Sequence, residues 1–497
     1  MKNPLKIFNT ISKKLEEFKP ISSNSVKMYV CGPTVYDDSH IGHGRTYVMI
    51  DVIRSILEKY YNYNVIFVMN ITDIDDKIIN KSNLTGENMN SITKKYTKEF
   101  LEDMASLKVK LPTRLTKVTD YIEKIGEFID QLEKNGYVYE SNGSIYFDVE
   151  KYKEKFEYPI FKTIEGVNLD SCNVSDKNLI SDKKNMADFA LWKSSKPNEI
   201  NFNYKNSNGR NLKGRPGWHI ECSVMASDVI GDSIDIHAGG IDLKFPHHEN
   251  EIAQCQAYSK SKPWIKYFLH TGHLNIDGLK MSKSLKNFTT IREILKNNTP
   301  NQLRILFLNH QWNKDMNYDT GELKFAQNLE KKIKNFVSYV NFLRYDAYDD
   351  KFSKLKFEDT KDFDVLKKLE EVKNKVDLAL SENFDTPEVL KKISELISFT
   401  NMNLKEVSDL TLISVKEFIV KILDILGVET LKEKEEGEDV EILAGILSNF
   451  RNSVRKFAKE GKDPKELYGL CDELRDELKE KGFVIEDNKL ESVIKRF

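Results

Sequence analysis

Three apolar segments between residues 26 and 69 constrain the fold more than any other part of the chain. Residues 26–30 (VKMYV) and 64–69 (NVIFVM) have the length and composition of strands, and apolar side chains recur at helical spacing in residues 41–61. A strand, an amphipathic helix and a second strand form a βαβ unit, whose two strands are parallel. The sequence therefore predicts a Rossmann-like, doubly wound α/β domain near the N-terminus.

Later segments predict an insertion and a second half of this domain. In YVYESNGSIYFD (residues 137–148) a Ser-Asn-Gly sequence separates two alternating runs, which predicts a β-hairpin. The polar stretch from about 165 to 212 is typical of loops. SIDIHAGG (233–240) then predicts a strand, and PHHENEIAQCQAYS (246–259) predicts the next helix.

Beyond about residue 320 the pattern is helical almost throughout and favours a bundle. Thr386 is the predicted N-cap of one helix, with Pro387 as its first residue. LKEKEEGEDVE (431–441) is typical of a solvated linker before a small C-terminal helical segment.

Composition limits the partners and the cellular compartment that we expect for this chain. The 76 basic and 78 acidic residues give a net charge of -2, so a nucleic-acid partner would need local basic patches. Five scattered cysteines argue against a secreted disulfide framework. The first residues lack the apolar core of a signal peptide, and no apolar run is long enough to span a membrane. We expect a cytoplasmic protein without membrane association.

Four residues far apart in the sequence offer metal-binding atoms. Cys31 follows a predicted strand, Cys222 lies in GWHIECS, and His247 and Glu251 are one turn apart on the helix predicted from Pro246. Two thiolates, an imidazole and a carboxylate suit zinc. Their distance in sequence favours the alternative, in which the cysteines are small buried hydrophobes and the helix start is solvated.

Two motifs could bind phosphate. His40 and His43 lie among glycines where the first strand turns into a helix, and helix N-termini attract phosphate. The alternative is a capped helix start. Lys280 and Lys283, in the loop KMSKS (280–284), suit a departing polyphosphate, although a basic surface loop is the plainer interpretation.

A third motif could bind a ribose. HAGGID (237–242) would present backbone groups and Asp242 at a strand end, or would be a simple turn. The chain contains neither G-x-G-x-x-G nor a Walker A sequence, so those nucleotide loops are excluded.

Together, HIGH at residues 40–43 and KMSKS at 280–284 resemble the paired signatures of class I aminoacyl-tRNA synthetases. The segments YVCGPTVYD, HIGHGRTYV, NITDIDDKI, DFALWK, GRPGWHIECS, FPHHENEIAQ and KMSKSLKNF are similar to those of the cysteinyl-tRNA synthetase family. The resemblance extends from residue 5 to about 487. It implies a Rossmann-like catalytic domain with an inserted α+β connective domain, followed by an all-α anticodon-binding bundle.

The resemblance implies a division of the chain. The expected parts are the two halves of the catalytic domain (1–110 and 216–278), the connective insertion (111–215), the KMSKS loop and stem-contact region (279–330), a tRNA- and anticodon-binding bundle (331–430), and a linker with a small C-terminal helical domain (431–497).

It also implies roles for individual residues. The ligands of one zinc ion per chain match Cys31, Cys222, His247 and Glu251. The residues that contact Mg-ATP match His40, His43 and Lys283 at the phosphates, Lys280 in a mobile loop over ATP, and His237 and Asp242 near the nucleoside. The cysteine pocket matches Gly32, Thr72 and Trp218.

The implied activity is that of a cysteine-tRNA ligase. L-cysteine and ATP give cysteinyl-adenylate and pyrophosphate, and cysteine then passes to the 3′ end of tRNA(Cys). Zinc suits the selection of cysteine over serine, because a thiolate ligates it far better than a neutral hydroxyl. The expected oligomeric state is a monomer. Deleting the residues after about 320 should spare activation and impair charging.

Some positions depart from the family. NFNYKNSNGRNLK (201–213) replaces a segment that often contains Trp and Pro, and Lys286 replaces a common glycine. Cys172, Cys255 and Cys471 fall outside the ligand set and are expected to be structural.

Three alternative functions are open. A ligase joining cysteine to a small amine would not need the long helical part. A silent RNA-binding paralogue would not need intact HIGH, KMSKS and metal positions. A zinc hydrolase would need an open metal position for water.

Overall fold

The computed structural model of the chain describes residues 2–161, 182–196, 199–205, 209, 211–259, 263–276, 278–280, 288–346, 361–404, 406–430, 446–447, 450, 454, 457, 466–480, 483–488 and 491–496. The chain forms two compact units. The first comprises Met1–Lys332, Lys367–Ser398 and Lys421–Val428, and the second comprises Ile333–Leu366, Phe399–Val420 and Glu429–Phe497.

The strands and helices are as follows in chain order. The strands are β1 Lys6–Asn9, β2 Lys14–Glu17, β3 Ser25–Val30, β4 Asn64–Ile71, β5 Arg114–Lys117, β6 Val138–Ser141, β7 Ser144–Phe147, β8 Phe189–Ser194, β9 Phe202–Lys205, β10 Asn211–Pro216, β11 Ile234–Gly240, β12 Ile265–Thr271, β13 Leu274–Ile276, β14 Leu279–Lys280, β15 Met316–Tyr318, β16 Phe483–Asn488 and β17 Glu491–Arg496. The helices are α1 Ile41–Ser55, α2 Asp76–Thr85, α3 Met89–Ser106, α4 Ile122–Lys134, α5 Val149–Lys153, α6 Trp218–Ile230, α7 Glu249–Ser259, α8 Ile291–Leu295, α9 Pro300–Leu308, α10 Thr320–Asp346, α11 Lys361–Ser381, α12 Thr386–Met402, α13 Asp409–Ile425 and α14 Glu466–Glu480.

A five-stranded parallel sheet forms the centre of the first unit. Its strand order is β12-β11-β3-β4-β5, and each neighbouring pair is parallel. The strand order reverses between β3 and β11, and the carboxyl ends of strands at such a switch point form a crevice that binds ligands in open α/β sheets. The predicted βαβ unit is confirmed as β3, α1 and β4.

The insertion contains a second sheet, with the order β6-β7-β8-β10-β9. Its predicted hairpin is confirmed, because Asn142 and Gly143 join β6 to β7 with positive φ angles. The prediction of loops from about 165 to 212 is wrong where β8, β9 and the first two residues of β10 form. Polar side chains alternate with buried ones in β10, and such a polar strand resembles a loop in composition. Residues 165–181, 197–198, 206–208 and 210 of this stretch lie outside the described residues.

The described part of the chain beyond residue 320 is mostly helical, as predicted. Two details differ. Asp385, not Thr386, caps α12, because its carboxylate accepts a hydrogen bond from the Glu388 N–H, while the Thr386 hydroxyl donates to the Leu308 carbonyl. The C-terminal segment also contains an antiparallel hairpin, β16–β17, besides the helix α14. Among the described residues, no helix is both long and apolar enough to cross a membrane.

Candidate active site and metal centre

The switch point brings Cys31 and Gly32 to the crevice at the ends of β3 and β11. The Cys31 N–H donates to the Ala238 carbonyl at 3.2 Å, and the Gly32 N–H donates to Asn70 Oδ1 at 2.8 Å. A Cβ at Gly32 would lie 1.7 Å from the Asn70 carbonyl oxygen. Only glycine permits this close approach between the loop after β3 and the end of β4.

The start of α1 presents two stacked histidines to the same crevice. His40 is the N-cap, and its Nδ1 accepts hydrogen bonds from the N–H groups of Gly42 and His43, at 3.1 and 3.3 Å. The rings of His40 and His43 stack with centroids 3.8 Å apart. Burial, together with the charge of Lys77, lowers the pKa of His43 to about 4. His43 is therefore a neutral imidazole at pH 7, able to exchange hydrogen bonds but carrying no charge.

The four predicted metal ligands converge beside these histidines. Cys31 Sγ lies 3.7 Å from Cys222 Sγ and 3.8 Å from Glu251 Oε1, and His247 Nε2 lies 2.9 Å from the same Glu251 oxygen. One ligand atom from each of the four residues lies within 4.8 Å of the others, and all four residues are buried. Cys222 comes from α6, and His247 from a wide helical turn, Lys244–His248, that leads into α7.

This group fits a tetrahedral metal ion of the zinc type. With Zn–S bonds of about 2.3 Å, two thiolates of one tetrahedral ion are about 3.8 Å apart, close to the Cys31–Cys222 distance of 3.7 Å. Sulfur, nitrogen and oxygen donors together are a set that zinc accepts. The structure therefore contains a possible Cys/His/Glu metal-binding group, and its use by zinc stays a prediction.

The charges in this group depend on one another. Burial raises the pKa of the Cys31 thiol well above its usual value. Burial would do the same at Cys222, but a hydrogen bond with Cys31 and the charge of His247 outweigh it and lower that pKa to about 6. Burial also opposes ionisation of Glu251, but the charges of His237 and His247 lower its pKa to about 2. Cys222 and Glu251 therefore ionise more readily than their burial alone would allow.

His237, predicted near the nucleoside, is fully buried in the structure. Its Nε2 lies 2.7 Å from Glu251 Oε2, and its Nδ1 lies 3.2 Å from the Tyr29 carbonyl. It is absent from the described residues that line the two cavities at the crevice. Its nucleoside contact stays a prediction, whereas its observed contact orients the second oxygen of a predicted metal ligand.

Sequence reasoning missed three further histidines in this region, of which His248 and His270 are buried and His219 is half-buried. His248 Nε2 lies 3.5 Å from Cys31 Sγ, and His248 Nδ1 lies 2.8 Å from His270 Nε2. His219 Nδ1 lies 3.1 Å from His247 Nδ1. Cys31, His237, His248 and Glu251 even form a second group with metal-binding geometry, which shares two members with the first. The histidines in GWHIECS, FPHHENE and FLHTGH were the available signal, but the sequence does not show which of them meet.

A cavity of about 540 Å³ opens above the metal group. Its lining includes Cys31, Cys222 and His247, so the predicted metal position borders the cavity directly. Gly32, Thr72, Trp218, His40, His43 and Asp242, predicted to contact substrates, also line it. Trp218 stacks on His247 with ring centroids 4.3 Å apart, and Thr72 Oγ1 accepts a hydrogen bond from Asn70 Nδ2 at 3.2 Å.

A smaller cavity of about 170 Å³ shares part of this lining. His40, His43 and Asp242 line both cavities, and residues 271–274, from the end of β12 to the start of β13, line only the smaller one. The two cavities are thus neighbours along the carboxyl edge of the parallel sheet. This arrangement can hold an elongated ligand whose ends have different chemistry.

The KMSKS segment is described only in part. The backbone of Lys280 ends β14, which pairs with β13. The Lys280 side chain, Lys283 and Lys286 lie outside the described residues, as does Cys172. Cys255 is buried and Cys471 is exposed. The roles predicted for these residues stay predictions.

Comparison with known proteins agrees with this geometry. The family described as "tRNA synthetases class I (C) catalytic domain" matches residues 17–328. "Cysteine--tRNA ligase" of Encephalitozoon cuniculi is 52% identical over 100% of both chains, and that of Thermococcus onnurineus is 38% identical over 99% of both. Methionyl-tRNA synthetase of Mycobacterium tuberculosis, solved with methionyl-adenylate, superposes with a TM-score of 0.59 at 14% identity, over 82% of this chain and 90% of that one.

The parallel sheet, its inserted antiparallel domain and the HIGH helix start define a class I aminoacyl-tRNA synthetase. The methionyl enzyme supports this fold alone, because its sequence identity is low. Full-length identity to the relatives decides the family. The chain belongs to the cysteine--tRNA ligase family.

Proposed function

We propose that the chain activates L-cysteine with Mg-ATP, forming cysteinyl-adenylate and pyrophosphate, and transfers the cysteine to the 3′ end of tRNA(Cys). We further propose that Cys31, Cys222, His247 and Glu251 hold one zinc ion that recognises the substrate thiol. The homologues named cysteine--tRNA ligase support this activity. The function needs no membrane, and we propose a cytoplasmic monomer.

The single observation that carries the proposal is the position of the metal group at the wall of the cavity that also holds the HIGH histidines. Cys31, Cys222 and His247 line the same 540 Å³ cavity as His40 and His43. A ligand with a thiol at one end and an adenosyl phosphate at the other fits such a site. That description applies to cysteinyl-adenylate.

The thiol end is where selection against serine is needed. An apolar pocket distinguishes isosteric side chains weakly, whereas zinc, when bound, ligates a soft thiolate in preference to a hydroxyl. Glu251 Oε2 accepts a hydrogen bond from His237 Nε2 when that nitrogen carries a proton, at 2.7 Å, and this contact holds the carboxylate with Oε1 on the side of Cys31 and His247. A fixed ligand gives a metal site of defined geometry.

The reacting centre lies between the two ends. The Asn70 side chain fixes Gly32 and Thr72, donating to Thr72 Oγ1 and accepting from the Gly32 N–H. Thr72 can then donate its hydroxyl proton to the cysteine carboxylate. His40 and His43 are proposed to bind the phosphates of ATP, with Lys280 and Lys283 at the departing pyrophosphate, while Asp242 and His237 remain our candidates near the nucleoside. In such a site catalysis consists largely of positioning and of charge stabilisation.

Cysteine-dependent exchange between ATP and pyrophosphate tests the activation step. Purified protein should catalyse exchange with L-cysteine and should do so far more weakly with L-serine. Charging of tRNA(Cys) then tests the second step. Absence of exchange, or equal exchange with serine, would overturn the proposal.

A further inference from the structure

Lys77 occupies a position in the main cavity that none of the predicted roles uses. It lies in the first turn of α2, where its N–H donates to Asp75 Oδ1 at 2.8 Å. Its side chain is exposed and lines the cavity together with His43 and Tyr36. The ammonium nitrogen lies 5.6 Å from the centroid of the Tyr36 ring.

The next lysine on the same face of α2 differs in its environment. Lys81 Nζ donates to the Tyr36 carbonyl at 2.7 Å and to the Tyr96 hydroxyl at 2.8 Å, and it lies 3.8 Å from Asp37. Lys81 therefore stabilises the wall of the cavity. Within the part of the chain that the structure describes, the Lys77 ammonium makes no hydrogen bond or ion pair, so its charge is available to a ligand.

The described lining of the cavity supplies little other permanent positive charge. Among the described lining residues, Lys77 is the only lysine and no arginine is present. Three carboxylates line the same cavity and repel the negative charge of a triphosphate: those of Asp37, Asp38 and Asp242. His43 carries no charge at neutral pH, as its lowered pKa indicates. A cation that faces this cavity is thus well placed to offset the charge of a polyphosphate.

We infer that Lys77 binds the polyphosphate of ATP and stabilises the pyrophosphate as it departs. The inference rests on the proposed function. In that reaction the cysteine carboxylate forms a bond to the α-phosphorus, and the bond from this phosphorus to the bridging oxygen breaks. The electron pair of the broken bond goes to the pyrophosphate, which gains negative charge. Lys77 interacts with that charge as a mobile point charge.

The test compares two substitutions at Lys77 with a matched control. Lys77→Met keeps the length of the side chain and removes its charge, whereas Lys77→Arg keeps the charge. Lys94→Met is the control, because Lys94 is an exposed lysine on the neighbouring helix α3 and is not among the described residues lining the cavity. All three are assayed by cysteine-dependent exchange, with ATP and cysteine varied separately.

Lys77→Met should lower kcat/KM for ATP about 10- to 100-fold, the usual effect of losing one charge-assisted hydrogen bond. The KM for cysteine should not change, and Lys77→Arg should restore most of the activity. Binding of an unreactive cysteinyl-adenylate analogue should also be unchanged, because this analogue has no β- or γ-phosphate. Lys94→Met should match the wild type.

Three outcomes would overturn the inference. Lys77→Met could match Lys94→Met in exchange, or it could weaken the adenylate analogue as much as ATP, which would indicate a structural role. It could also slow only the single-turnover transfer from preformed adenylate to tRNA, which would assign Lys77 to a tRNA phosphate. A wild-type protein without exchange would instead overturn the proposed function itself.

Discussion

His40 and Thr290 lie opposite each other in an antiparallel β-bridge. On either side of this bridge, the Ile41 N–H donates to the Thr289 carbonyl at 3.1 Å, and the Ile291 N–H donates to the Ser39 carbonyl at 3.0 Å. Each bridge residue is also the N-cap of a helix, His40 of α1 and Thr290 of α8. The chain that leaves the KMSKS segment is thereby attached to the start of the HIGH helix.

Thr290→Ala should weaken this attachment. The Thr290 side chain accepts a hydrogen bond from the Glu293 N–H in a capping box, and loss of such a cap costs about 1 kcal/mol. We expect a loss of that size in the free energy of urea unfolding, and a higher KM for ATP at constant KM for cysteine. Thr290→Ser keeps the cap and should behave as the wild type. An unchanged KM for ATP in Thr290→Ala would show that the Thr290 cap does not contribute to ATP binding.

Cys222→Ser should lose both zinc and cysteine activation. Cys222 Sγ is one of two sulfur atoms in the metal group, and a serine hydroxyl is a much poorer zinc ligand than a thiolate. Zinc content per chain and cysteine-dependent exchange are the measurements. Cys471→Ser is the control, because Cys471 is exposed on α14 and is not part of the metal group. Full exchange activity in a zinc-free Cys222→Ser protein would refute the role of the metal.

The sequence predicted the local parts of the fold better than its long-range pairing. The βαβ unit follows from spacing alone, because one helix face and two apolar runs are visible within residues 26–69. The polar strand β10 could not be recognised, since it is stabilised by pairing with β8 and β9 rather than by its own pattern. The hairpin β16–β17 was missed because each strand, FVIEDN and ESVIKR, has an apolar run of only two or three residues, which does not distinguish a strand from a helix.

The residues of the site could be predicted from the sequence, whereas several of their contacts could not. The resemblance located Cys31, Cys222, His247 and Glu251, and the structure brings these four together. The resemblance could not predict the contact of His237 with Glu251, because that contact depends on how β11 and α7 pack. The cavity position of Lys77 likewise depends on the orientation of α2, which no local pattern specifies.

Asp76 should make stability depend on pH in the acid range. Its carboxylate accepts hydrogen bonds from Lys193 at 2.8 Å and from Arg215 Nε at 3.0 Å, and so connects α2 to the inserted sheet. Burial raises the pKa of Asp76, but the charges of Lys193 and Arg215 outweigh this and lower it to about 2. The folded-state pKa lies below the usual value of 3.8, so the stabilisation is complete above about pH 4 and is lost as the pH falls towards 2.

The free energy of unfolding of Asp76→Asn should therefore be about 2 kcal/mol lower than that of the wild type at pH 7. The difference should stay constant down to about pH 4 and then narrow, in urea titrations at a series of pH values. Glu123→Gln, at an exposed position on α4, serves as the control and should show no such window. A difference between Asp76→Asn and wild type that does not vary with pH would contradict the ionic account.

The two compact units indicate a different cut point for a truncated chain that retains cysteine activation but charges tRNA poorly. The sequence suggested a cut after about residue 320, but residues 367–398 and 421–428 belong to the first unit. Arg304 is fully buried and donates to the Leu426 carbonyl at 3.2 Å, and the Trp312 Nε1–H donates to the Asn383 carbonyl at 2.9 Å. A cut at 320 removes both acceptors and leaves a buried guanidinium with fewer partners, which is costly.

A chain that ends at Val428 should therefore retain zinc and cysteine-dependent exchange, because its first unit is whole. A chain that ends at residue 320 should show a lower thermal midpoint and weaker exchange, since the acceptors for Arg304 and Trp312 are missing. If residues 429–497 contribute to tRNA binding, the longer chain should charge tRNA(Cys) with a raised KM for tRNA while its KM for ATP is unchanged. Equal stability and exchange in the two truncated chains would show that residues 367–398 and 421–428 are dispensable to the catalytic unit.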